Sequence, residues 1–257
     1  MPDYDITQFT IDSSHQPYKI DISVPKGEAP EQGFPVLYLL DGNAYFPLVK
    51  EITKLQERRP EKTGVDQMIL VGIGYPGPDA FSRERFYDYT PPAETVNLPE
   101  RPDGLDWPEQ GGAEHFLDFI ENTLQSKIME AYPVDQMNQA LFGHSLGGLL
   151  TLYGLFTRPH LFQQYLAFSP SIWWNDRVIL TKEPDLKANK DKRLFIAVED
   201  SNTLGMYSEA EALYQRVKEA DKLNEIGFFT SSGENHMSIV PTAFSSALRF
   251  LENGINN

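Results

Sequence analysis

With 257 residues, of which 40% are hydrophobic and 23% charged, the chain can close a sizeable core, and this composition excludes an intrinsically disordered protein. A formal net charge of -15 makes a surface that repels nucleic acid and anionic lipid, so neither nucleic acid nor a membrane is an expected partner. Cysteine is absent, which removes disulfides, thiolate metal sites and a cysteine nucleophile.

No run approaches the roughly 18 apolar residues of a membrane span. Met1-Pro2-Asp3-Tyr4-Asp5 does not open a basic and then apolar leader. A cytoplasmic location is expected, or a periplasmic one where a leader has been trimmed. Residues 1–257 are expected to form one domain, as a monomer or weak homodimer.

In chain order, Tyr18, Ile20, Ile22 and Val24 alternate with Lys19, Asp21 and Ser23, the pattern of an antiparallel edge strand with one wet face. The later apolar runs do not alternate: Val36 to Leu40, Met68 to Ile73, Ala140 to Phe142, Tyr165 to Phe168, Leu194 to Val198 and Ile226 to Phe229. Short continuous runs of this kind predict parallel strands buried on both faces.

Between them, Phe116, Phe119, Ile120, Leu124 and Ile128 recur at helical spacing, as do Ala210, Leu213, Tyr214 and Val217, and finally Phe244, Ala247, Leu248 and Leu251. The alternation predicts an α/β fold: a mostly parallel sheet with antiparallel N-terminal strands and helices on both faces. Residues 75–112 break the rhythm. Pro76, Pro78, Pro91, Pro92, Pro99, Pro102 and Pro108 prevent long regular elements, and so long an excursion is expected to be a lid-like wall over a site or a solvated loop.

Gly143-His144-Ser145-Leu146-Gly147 follows the strand-like Ala140-Leu141-Phe142 and precedes the helix-like Leu149 to Tyr153. In that context Gly-x-Ser-x-Gly is a nucleophile elbow. A sharp strand-to-helix turn presents the Ser145 hydroxyl, small neighbours avoid collision, and the helix behind it directs N–H groups at developing negative charge.

A serine hydroxyl needs a base. His15 precedes the first strand, His115 opens a helix, His144 lies in the elbow and His160 follows Arg158-Pro159, whereas His236 lies in the loop leaving the last predicted strand. His236 is therefore the candidate base. The acid is expected after the preceding strand, where Asp200 at the loop edge is preferred, with Glu199 or no acid at all as alternatives. Oxyanion donors are expected from the N–H of Leu146 and, in the turn Leu40-Asp41-Gly42-Asn43, from the N–H of Asn43.

These pieces, with Arg85, Asp88-Tyr89-Thr90-Pro91, Ser169-Pro170-Ser171-Ile172-Trp173-Trp174 and Asn235-His236-Met237-Ser238, resemble the esterase D-like group of α/β-hydrolases. Within it the chain is most similar to siderophore esterases that cleave enterobactin-type and bacillibactin-type trilactones. The resemblance implies an eight-stranded α/β-hydrolase sheet, Ser145 and His236 as the catalytic pair, Asn43 and Leu146 as oxyanion donors, and Arg85, Trp173 and Trp174 in the substrate cleft.

It departs after the penultimate strand. Relatives often carry Gly there and Glu three residues on, where this chain has Glu199 and Asn202. Some members use a Ser-His dyad.

The Trp pair suits aromatic acyl groups, and Arg83 and Arg85 bring local positive charge that the acidic whole opposes. The expected activity is hydrolysis of a small-molecule carboxylic ester through an acyl-enzyme, with no metal or organic cofactor. A thioesterase or acyltransferase using the same residues is the alternative, and a non-catalytic binding protein is the reading from another class.

Overall fold

Eight strands, β1 (Tyr4–Asp12), β2 (Pro17–Pro25), β3 (Phe34–Leu40), β4 (Ile69–Gly74), β5 (Val134–His144), β6 (Gln164–Phe168), β7 (Asn189–Glu199) and β8 (Leu223–Ser231), join in one sheet in the computed structural model, which describes residues 3–101, 104–183 and 189–253. Their order is β1-β2-β4-β3-β5-β6-β7-β8. The β1–β2 and β2–β4 pairs are antiparallel, and every pair from β4 to β8 is parallel.

The parallel strands run apolar because both of their faces are covered. In β3, Val36, Tyr38 and Leu40 enter one core while Leu37 and Leu39 enter the other. Leu194, Ile196 and Val198 of β7 face the first core, Phe195 and Ala197 the second.

Helices α1 (Gly42–Gln56) and α6 (Ile239–Asn253) cover the second face, through Tyr45, Phe46, Val49, Phe244 and Leu248. The first face carries α2 (Ala113–Phe119), a π-helical turn at Ile120–Gln125, α3 (Ser126–Ala131), α4 (Leu146–Thr157) and α5 (Met206–Ala220). The spacing predicted from Phe116 to Ile128 thus holds across a π turn, with all five apolar residues buried. Every residue of α4 from Leu146 to Phe156 is buried, so this helix is apolar on all sides.

One expectation changes. The strand around Ile20 is not the edge: β1 pairs along its whole length, and Asp21 and Ser23, read as a wet face, are buried. Asp21 tolerates this because Gln8 and Lys19 supply a hydrogen bond and a salt bridge. The excursion is also tied down. Asn97 donates its backbone N–H to the side chain of Asn175 and its amide to Asp176, Asn175 donates to the Thr95 carbonyl, and Trp107 packs edge-on to Trp174 at 5.1 Å. Pro102 lies outside the described residues. Among the described residues no helix is long and apolar enough to cross a membrane.

Candidate active site

Strand β5 ends at His144, and Ser145 takes φ 60° and ψ -116°, a strained conformation for a residue with a side chain. Its surroundings enforce it. The Ser145 N–H donates to the Phe168 carbonyl at the end of β6 at 2.9 Å, while the Ser145 carbonyl accepts from Leu149 and Ser171.

A Cβ added at Gly143 would lie 2.1 Å from the Gly147 oxygen, so only glycine fits there. The second small position is not the one the motif names. A Cβ at Gly147 would meet nothing closer than 3.5 Å, whereas one at Gly148 would lie 2.8 Å from the Phe168 oxygen and 2.9 Å from Pro170. The Ser169-Pro170-Ser171 turn presses on Gly148.

His236 sits on the turn between β8 and α6. The Asn235 side chain accepts from the Met237 and Ser238 N–H groups, and the Ser238 hydroxyl accepts from the Asn235 N–H, which closes the turn and caps the approach to α6. Nδ1 of His236 lies 3.1 Å from Oε1 of Glu199.

Glu199 is 2% exposed. Burial drives its carboxyl up, but hydrogen bonds from His236 and Ser169 and from backbone outweigh this and hold it down to about 2. An ionised carboxylate only accepts, so Nδ1 of His236 carries the proton and Nε2 is left as an acceptor.

The carboxylate brought to the histidine is therefore that of Glu199 and not, as preferred from sequence, that of Asp200, which is exposed. Side chains alternate along β7, and Glu199 shares the face of Phe195 and Ala197, on which α6 lies and before which His236 turns. That parity was readable in the sequence. Ser145 Oγ and Ser171 Oγ are 3.3 Å apart, and among the described residues Ser145 makes no direct hydrogen bond to His236.

Asn43 is the second residue of α1 and Leu146 the first of α4, and the first four N–H groups of a helix lack intrahelical acceptors. Both helices start where the paired strands β3 and β5 end, so their positive poles converge on one edge of the sheet. The Asn43 side chain is spent elsewhere, donating to the carbonyls of Tyr75 at 3.0 Å and Asp79 at 2.9 Å, so only its backbone is free to face a substrate.

Arg85 is committed to an ion pair, and it also lines a cavity of about 460 Å³ with Phe81 and Arg83. Its Nε and one terminal nitrogen each donate to a carboxylate oxygen of Asp41 at 2.8 Å, and it is 8% exposed. Burial opposes its charge, yet Asp41 beside it holds the guanidinium above its ordinary range. The pair locks the turn that delivers Asn43, because Asp41 itself is left-handed, with φ 51°.

The adjacent tryptophans separate. Trp173 lines a cavity of about 370 Å³ with Ser145, Ser171, Leu204, Met206 and His236, while Trp174 is buried against Phe86 and Trp107. Leu204 and Met206 were not singled out in the sequence, and Ser171 was named only within the Ser169–Trp174 segment, without a role of its own. Leu204 lies in the connection from Glu199 to α5 and Met206 is the first residue of that helix, where no periodicity marks them.

Residues 12–245 match the family described as "Putative esterase". The chain belongs to that family. It is 42% identical over 262 residues, 97% of this chain and 90% of the relative, to the ferri-bacillibactin esterase BesA of Bacillus subtilis. It is 35% identical over 275 residues, 92% of this chain and 90% of the relative, to the siderophore enterobactin esterase of Emericella nidulans.

Among solved structures, the BES protein from Bacillus cereus superposes with a TM-score of 0.91 at 42% identity, covering 98% of this chain and 97% of that one. The protein is thus a carboxylic ester hydrolase of the esterase family, with the α/β-hydrolase fold expected from its sequence.

Proposed function

We propose that this esterase hydrolyses the ester bonds of siderophore trilactones of the bacillibactin and enterobactin type, through an acyl-enzyme on Ser145. The similarity that carries the substrate class is that to the ferri-bacillibactin esterase, which extends over 97% of this chain. The cavity supports it. Trp173, Leu204 and Met206 give an apolar wall beside Ser145 and His236, suited to a flat aromatic acyl group.

In this reading Nε2 of His236 takes the Ser145 proton as Oγ attacks the ester carbonyl. Glu199 holds the Nδ1–H tautomer and offsets the imidazolium charge that forms. The N–H groups of Asn43 and Leu146 receive the oxyanion, where loss of one donor typically costs about 10²–10³ in kcat. The imidazolium then gives its proton to the departing alkoxide. Water, deprotonated by His236, attacks the acyl carbon and releases the acid with Ser145 restored.

The deciding measurement compares kcat/KM for a bacillibactin-type trilactone, with and without iron, against acetyl, feruloyl and formyl-thiol substrates. The trilactone should be preferred by well over tenfold. A preference below tenfold, about 1.4 kcal/mol in transition-state binding, would remove the support for this substrate class.

A further inference from the structure

The residue between Gly143 and Ser145 has both ring nitrogens committed. His144 is buried; its Nε2 lies 2.7 Å from the backbone oxygen of His236, and its Nδ1 lies 2.8 Å from the hydroxyl of Tyr45. A carbonyl oxygen can only accept, so Nε2 carries the proton, and Nδ1 accepts the hydroxyl proton of Tyr45. Burial, with His236 adding to it, brings His144 down to about 3, so this ring is neutral at working pH.

The hydrogen bonds of the Asn235–Ser238 turn are local: they fix its shape but not its distance from Ser145. Tyr45 belongs to α1, two residues beyond Asn43, and His144 is joined to Ser145 by one peptide bond.

We propose that His144 is a positioning residue for the catalytic base, hydrogen bonding the His236 carbonyl so that the base is held to the same peptide that carries the nucleophile. Tyr45 completes the device by fixing the tautomer of His144 from the helix that bears the Asn43 N–H. The rings of His144 and His236 lie 4.4 Å apart between centroids, so the two residues are also in direct contact. A residue needed only to fill this space could be any aromatic of similar size. The proposal rests on the catalytic reading of Ser145 and His236.

Three variants test it: His144→Phe, which keeps an aromatic ring and loses the donor; His144→Gln, whose amide N–H can reach the same carbonyl; and Tyr45→Phe. For each, kcat and KM on a short-chain nitrophenyl ester are measured per folded molecule, with folding followed by circular dichroism and melting. A displaced base should cost H144F about 10- to 100-fold in kcat, with KM within about twofold.

H144Q should recover most of that loss, Y45F should show a smaller loss of the same kind, and the rate of fluorophosphonate labelling at Ser145 should fall in step with kcat. H144F turning over like the wild type, or H144Q folded yet no better than H144F, would overturn the proposal. Where H144F does not fold, Y45F with wild-type kcat overturns it. Wild-type protein that fails to label at Ser145 instead removes the catalytic reading, and the proposal with it.

Discussion

Ser169 Oγ donates to Oε2 of Glu199, and the other oxygen of that carboxylate meets Nδ1 of His236 at 3.1 Å. Ser169 directly follows β6 and Glu199 ends β7, so two paired strands of the sheet hold the carboxylate between them. Asp200, one residue on, is exposed. Replacing Glu199 by Gln should reduce kcat on a nitrophenyl ester by on the order of 10³–10⁴ through loss of the tautomer and of imidazolium stabilisation. Asp200→Asn should stay within about twofold of the wild type. Two small effects would instead make the site a Ser-His dyad.

The buried pair of Arg85 and Asp41 is expected to act on stability and not on substrate affinity. Removing one member of a buried ion pair typically costs about 3–5 kcal/mol, because the other is left charged and unpaired. Arg85→Met should lose this amount in chemical denaturation, and adding Asp41→Asn should restore part of it. At a temperature where Arg85→Met is folded, its KM should match the wild type. A raised KM with unaltered stability would instead give Arg85 a direct part in binding substrate.

Most of the sheet was legible because β3 to β7 are buried on both faces and read as apolar runs. Strand β1 was not located, since it pairs on one side only and most of Tyr4–Asp12 is exposed, leaving no such run. Ser145 and His236 could be read from motif and order alone. The acid required one further step, the two-residue period of a strand, which separates Glu199 from Asp200. No period separates Trp173 from Trp174: Asn175, Asp176 and Arg177, which follow, have φ of 44°, 51° and 63°, a left-handed run outside both helix and strand regularity.

That separation of the tryptophans is measurable. Trp173→Ala strips the apolar wall of the Ser145 cavity and should lower kcat/KM for aryl esters by about tenfold, with melting changed by only a few degrees. Trp174→Ala opens a hole among Phe86, Trp107 and Trp173 and should destabilise the fold by about 3–5 kcal/mol in urea or guanidinium. If both variants lost the same stability and neither lost selectivity, Trp173 would be a packing residue only.

Glu57, at the C-terminal end of α1, is 4% exposed, and neither of its carboxylate oxygens has a hydrogen-bond partner among the described residues. It lines a cavity of about 580 Å³ with Glu28, Asp66, Asp135 and Glu252, beside Phe34 at the start of β3 and so at the end of that strand away from the Asp41–Asn43 turn. Burial pushes the Glu57 carboxyl up to about 7.

A carboxyl raised on folding binds its proton more tightly in the native state. Its contribution to stability therefore falls as pH rises from the ordinary carboxylate range to about 7, and is level above that. Glu57→Gln keeps the shape and removes the charge. It should stabilise the protein by on the order of 2–3 kcal/mol at pH 8, shrinking to under about 1 kcal/mol at pH 5, with kcat unchanged. Part of the wild-type slope should persist in the variant, because Glu252, raised to about 7 by burial and by Asp66, titrates in the same window. Denaturation curves for both proteins at pH 5 and pH 8 decide the matter: an equal gain at the two values would mean that packing, and not the buried charge, sets the cost of Glu57.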